Sequence, residues 1–113
     1  MKRLIITLFT LLIAFSAFAQ GDFIGKSIPE VEIKTLDGRK FNTSEIENDG
    51  NPMIITFWAL WCKPCIRELT AIAEVYDDWV DETGVKIYAI SIDDARSVPK
   101  VMPTVHGNGW EYD

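Results

Sequence analysis

The chain has 113 residues, 48% of them hydrophobic, two cysteines, one histidine and a formal net charge of −6. That length suits one small domain and excludes two large ones. Four tryptophans among many Val and Ile residues exclude a disordered chain. No Lys/Arg cluster appears, which disfavours nucleic-acid and anionic-membrane binding.

The first twenty residues read MKRLIITLFTLLIAFSAFAQ. Lys2 and Arg3 form a basic n-region, Leu4 to Phe15 an apolar run, and Ala17-Phe18-Ala19 a small-x-small cleavage pattern. A signal peptide over 1–19 is therefore predicted. An uncleaved anchor fits less well, because the apolar stretch is shorter than the ~20 residues that span a bilayer. No cysteine lies near the cut, so no lipid anchor is expected there. The domain prediction is 20–113, exported to the periplasm and not membrane-bound once mature. With Lys2 and Arg3 removed, nine basic residues face seventeen acidic ones, a net charge of −8 that keeps a small domain soluble.

Gly21 to Pro29 reads as an irregular lead-in. In VEIKTLDGRKF, Val31 and Ile33 alternate with charged residues, the chain turns at Asp37-Gly38, and it returns through Lys40-Phe41, which predicts a β-hairpin. Thr43-Ser44 is placed to cap a short helical turn carrying Glu45, Ile46 and Glu47. Asn48 to Pro52 is a loop.

Met53 to Ala59 is a continuous apolar run, as expected of a strand buried on both faces. From Cys62 onward the period changes: Ile66, Leu69, Ala73, Tyr76 and Val80 predict an amphipathic helix that ends at Gly84. Val85 to Asp93 is a second buried strand. Strand, helix and strand make a right-handed βαβ unit with parallel strands. In the tail a helix is placed near Asp94 or Ser97, with Pro99 in its first turn and Pro103 as a break or kink. Gly107 to Gly109 is a turn, and Trp110 to Asp113 a candidate strand opening.

Cys62, Lys63, Pro64 and Cys65 fall where the first strand gives way to the helix. Unpaired N–H groups and the helix dipole stabilise negative charge there, and Lys63 adds positive charge. A thiolate, which is the nucleophilic form, is favoured. Pro64 sits in the first turn, where a missing N–H matters little. Cys62, at the helix mouth, is assigned as the attacking thiolate, and Cys65, one turn inward, as the resolving thiol. Trp61 is expected to shield the pair and to offer a contact surface, whereas Trp58 reads as core.

Other uses of the pair fit less well. A purely structural disulfide closing a two-residue loop restrains little unfolded-chain entropy. A zinc or copper site needs further ligands, and His106 reads as a surface residue beside a glycine turn. Haem attachment needs histidine directly after the second cysteine, where this chain has Ile66. No metal and no cofactor is expected.

FWALWCKPC followed by IREL resembles the exported thioredoxin-like thiol–disulfide oxidoreductases of the TlpA/ResA type. IGKSIPEVEIKTLDGRKF is similar to their N-terminal segment, and GVKIYAISID to the strand after their active-site helix. The resemblance implies an α/β thioredoxin-like fold, with a central βαβ unit and an N-terminal β-hairpin. It implies that Cys62 and Cys65 form a redox-active disulfide and that Glu68 is an acidic catalytic partner, a carboxylate able to accept a proton from Cys65. Lys63, Pro64 and Trp61 would shape the site. Implied partners are disulfide-containing protein substrates, reduced through the pair, and a periplasmic or membrane thiol that donates electrons.

The resemblance also implies a cis-proline loop, a β-hairpin and a final helix that neither Pro99 nor Pro103 matches. The fold's C-terminal β-hairpin and helix are therefore expected to be missing. The Met53–Ala59 strand would then keep an open edge and the chain would be marginally stable or associate. Two alternatives remain: a Cu(I)-handling thiol module and a non-catalytic remnant.

Overall fold

The structure, a computed structural model, describes Gly25 and residues 27–113. The signal-peptide reading of 1–19 and the start of the lead-in lie outside the described residues.

Strands β1 (Glu32–Lys34) and β2 (Lys40–Asn42) pair antiparallel, with Ile33 opposite Phe41. The predicted turn closes them. Gly38, at φ 86°, donates to the Thr35 carbonyl at 2.9 Å, a backbone geometry that residues with a Cβ rarely adopt. The 3-10 turn Thr43–Glu45 that follows is capped one residue earlier than expected. Asn42 accepts from the Ser44 N–H, and Glu45 reaches back to the Asn42 N–H. Thr43 is instead buried inside the turn. Its hydroxyl donates to the Pro29 carbonyl at 2.6 Å and accepts from the Val31 N–H at 2.8 Å, which fastens the lead-in to the hairpin.

Strands β3 (Met53–Trp58) and β4 (Lys86–Ser91) pair parallel from Met53 opposite Lys86 to Trp58 opposite Ser91. Between them the chain forms α1 (Lys63–Ala73) and α2 (Tyr76–Thr83). The single helix expected from Cys62 to Gly84 is broken. The Val75 N–H bonds the Ile72 carbonyl at 3.0 Å, a three-residue step, and Val75 itself leaves helical geometry at φ −120°, ψ 2°. The break re-aims α2. Its first residue, Tyr76, packs with Val85 and Ile87, and the Tyr76 hydroxyl accepts from the Ile87 N–H at 3.2 Å. Packing therefore overrides a periodicity that both helices share. Gly84 ends α2 in the left-handed conformation, as expected.

The tail forms a 3-10 turn, Val98–Lys100, running into α3 (Val101–Gly107). Pro103 does not break α3. It is the third residue, within the first turn, where backbone N–H groups have no intrahelical acceptor to lose. Beyond the turn at Gly109, the last residue reaches β4. The Asp113 N–H donates to the Ile87 carbonyl at 3.0 Å, and its carbonyl accepts from the Ala89 N–H at 2.8 Å. This is the bonding of a parallel strand centred on Tyr88. β4 is thus bonded on both edges, whereas β3 pairs with β4 alone among the described residues.

The helices cover one face of the sheet. Trp58, Leu69, Val101 and Trp110 form a buried cluster, with Trp110 edge-on to Trp58 at 5.1 Å. Ile87, on the same face as Trp58, is 1% exposed and centres a second cluster with Tyr76 and Val85.

Candidate functional site

The chain leaves β3 under tight control. The Trp58 carbonyl accepts from the Ile92 N–H at 2.9 Å, extending the sheet past the last paired residue. Ala59 is fully buried. The Cys62 N–H then bonds the Ala59 carbonyl at 3.0 Å, closing a turn with Leu60 and Trp61 at its centre. The Cys62 carbonyl accepts from the Ile66 N–H at 3.2 Å, the first helical bond of α1.

Cys62 is the N-cap residue of α1, and Cys65 the third residue of the helix. They form a disulfide with a Cα–Cα distance of 5.3 Å, within the range such bonds require. Both residues are half-buried. They differ in what lies behind them: Cys65 packs against the Trp58, Leu69, Val101 and Trp110 cluster. Pro64, the second residue of α1, lacks an N–H at a position where none is needed. In the disulfide form the Cys62 side chain makes no cap bond to the N–H groups of the helix start.

The other predicted site residues divide by exposure. Trp61 is 72% exposed, whereas Trp58, three residues earlier, is 2% exposed. Trp61 therefore contributes no core packing, and its indole is displayed beside Cys62. Lys63, Arg67 and Glu68 are exposed on α1, with Glu68 one turn beyond Cys65. His106 lies on the surface of α3, away from this junction in the chain.

Sequence reasoning missed Asp93. Its carboxylate accepts from the Leu60 N–H at 3.1 and 3.2 Å, from 33 residues away, and from the Ser91 hydroxyl at 2.8 Å. The signal available was an acidic residue closing an apolar strand, where a half-buried carboxylate requires donors.

A parallel βαβ unit with a disulfide at the start of its helix, preceded by a hairpin, defines a protein of the thioredoxin-like class. The chain belongs to the AhpC/TSA family, which it matches over residues 24–112. It is 34% identical over 99 residues to the thiol-disulfide oxidoreductase ResA of Bacillus thuringiensis (strain Al Hakam), covering 88% of this chain and 56% of that protein. Among solved structures it is similar to a thioredoxin-like protein from Porphyromonas gingivalis, with 54% identity and a TM-score of 0.65 over 75% of this chain and 56% of that one. It is also similar to a thiol:disulfide interchange protein of the thioredoxin family from Chlorobium tepidum TLS, with 25% identity and a TM-score of 0.59 over 81% of this chain and 60% of that one. The chain spans about half the length of the curated relatives it matches.

Proposed function

We propose that the protein is an exported thiol–disulfide oxidoreductase that reduces disulfides of partner proteins. The observation that carries this reading is the asymmetry of the pair. Cys62 stands at the N-cap position next to the exposed Trp61, and Cys65 backs onto the core.

In the forward step the Cys62 thiolate attacks one sulfur of a partner disulfide. The partner's other sulfur leaves as a thiolate and takes up a proton. Cys65 then gives up its proton, with the Glu68 carboxylate as the acceptor, and attacks Cys62 Sγ. The second partner sulfur leaves as a thiolate, and the Cys62–Cys65 disulfide remains. Two electrons have passed from the dithiol to the partner. A thiol donor in the same exported compartment restores the dithiol, since cytosolic glutathione and thioredoxin systems do not act there. The resemblance to ResA-type proteins and the predicted signal over 1–19 support the direction and the location. Lys63 and Pro64 tune the pair from between the cysteines.

The test is equilibration in buffers of graded dithiol/disulfide ratio, with acid-quenched alkylation and mass spectrometry to count free thiols. A single two-electron midpoint between about −180 and about −330 mV is expected, spanning isomerase-like to thioredoxin-like potentials and below. A disulfide titrating like that of an unfolded peptide overturns the reading. Glu68→Gln is expected to slow release of the mixed disulfide while leaving its formation at the wild-type rate.

A further inference from the structure

We propose that Asp93 is a positioning residue for this exchange. From the end of β4, its carboxylate holds the turn that aims Cys62 at a partner disulfide. The proposal rests on the oxidoreductase reading and deepens it.

The turn from Ala59 to Cys62 has little else to hold its centre. Its ends are fastened: Ala59 is fully buried, and the Cys62 N–H closes onto the Ala59 carbonyl at 3.0 Å. Of its two central residues, Trp61 is 72% exposed and contributes no core packing. Leu60 packs beside the buried cluster through its side chain, and its N–H is held by the Asp93 carboxylate at 3.1 and 3.2 Å. A backbone N–H on an ionised carboxylate is a charge-assisted bond, stronger than a neutral one.

The acceptor is itself held still. The Ser91 hydroxyl donates to the same carboxylate at 2.8 Å, and Ser91 Oγ accepts from the Asp93 N–H at 3.1 Å. Ser91 is the last residue of β4 in register with β3, opposite Trp58, and the Ile92 N–H continues that pairing onto the Trp58 carbonyl. A continuous set of bonds therefore runs from the sheet through Ser91 and Asp93 to Leu60, two residues before the attacking sulfur.

Disulfide exchange is demanding in geometry, because the attacking sulfur must approach along the axis of the bond it breaks. A turn free to shift would leave the thiolate just as available but less often in line. Losing the Asp93 bond should therefore lower the rate of attack by a fully ionised Cys62.

The experiment follows the reduced chain as it attacks an aromatic disulfide that releases a coloured thiol, across a pH series. The series separates the limiting rate of the thiolate from the pH at which it forms. Asp93→Ala is expected to lower the limiting rate about ten-fold, Ser91→Ala about three-fold, and Asp93→Asn, which keeps an acceptor for Leu60, less than Asp93→Ala. Amide exchange at Leu60 in the oxidised protein is expected to quicken in Asp93→Ala, a readout that needs no activity.

A limiting rate for Asp93→Ala within about two-fold of wild type, beside a lowered melting temperature, makes the residue structural only and overturns the proposal. Equal slowing in Asp93→Asn and Asp93→Ala, with Leu60 amide exchange in Asp93→Asn as slow as in wild type, assigns the effect to charge and not to the turn, and overturns it too. If Asp93→Ala does not fold, Ser91→Ala decides, and a wild-type limiting rate there sinks the idea. A wild-type dithiol that leaves the aromatic disulfide intact overturns the oxidoreductase reading as well. That result is distinguishable from a reactive wild type with an equally reactive Asp93→Ala, which removes the proposal alone.

Discussion

The Tyr112 hydroxyl donates to the Leu69 carbonyl at 2.6 Å, clamping the C-terminal segment onto the middle of α1. The ring packs edge-on to Tyr76 at 5.1 Å, so one side chain touches both helices of the crossover. Trp110 adds a second tie to α1 through its indole N–H, which donates to Thr70 Oγ1 at 3.2 Å.

Burial, followed by the neighbouring Tyr76, pushes the Tyr112 phenol up from its ordinary 10.0 to about 12. The folded state therefore holds this proton more tightly than the unfolded chain. Its contribution to stability is complete below pH 10 and is lost as the pH rises toward about 12, because the unfolded state ionises first. Urea melts of wild type and Tyr112→Phe at pH 8 to 12 check this. The variant is expected to lose about 1 kcal/mol at neutral pH from the missing hydrogen bond and to decline less steeply in alkali.

Gly84 ends α2 at φ 67°, and a Cβ added there would meet the Asn51 side chain at 3.2 Å. Gly84→Ala combines a left-handed backbone with that close approach. A loss of about 1 to 2 kcal/mol in denaturant melts is expected, with the disulfide midpoint unchanged because the site lies at the other end of the crossover.

Trp61 is exposed and Trp58 buried, so the same substitution separates contact from packing. Trp61→Ala is expected to change stability by less than about 0.5 kcal/mol while weakening exchange with a protein disulfide more than with a small aromatic one. Trp58→Ala, which empties a buried site against Leu69 and Trp110, is expected to lose about 3 to 5 kcal/mol. Thermal melts and paired kinetics on the two substrates distinguish them.

Removing the resolving sulfur should strand the reaction halfway. Cys65→Ser is expected to accumulate a mixed disulfide through Cys62 when mixed with an oxidised protein substrate, visible as an adduct by non-reducing mass spectrometry. Cys62→Ser is expected to form none. Adducts through Cys65 in greater yield would reverse the assigned roles, and equal yields would abolish the distinction.

Where a structural signal was local, the sequence carried it. The alternation of Val31 and Ile33 about Asp37-Gly38 marked the hairpin, because side-chain period and turn chemistry act over a few residues. The apolar runs around Ile55 and Ile87 marked the parallel pair, though not its burial, since Phe57 is 62% exposed and, among the described residues, β3 is not covered on both faces; Gly84 marked the end of the crossover. The change of period alone marked Cys62 as the start of a helix.

The tertiary structure decided what depends on partners far along the chain. The apolar spacing from Ile66 to Val80 continues through Glu74 and Val75, so only the packing of Tyr76 on β4 shows that the helix breaks there. Pro103 looks like a helix breaker until the 3-10 turn before it places it in a first turn. The bond between Asp93 and Leu60 joins residues 33 apart, and Asp113 returns to β4 beside Tyr88 only after the whole of the tail. Periodicity and dipeptides report what a segment prefers by itself. Which donor finds which carboxylate, and which edge of a strand is occupied, is settled only when the folded chain brings distant backbone groups out of water together.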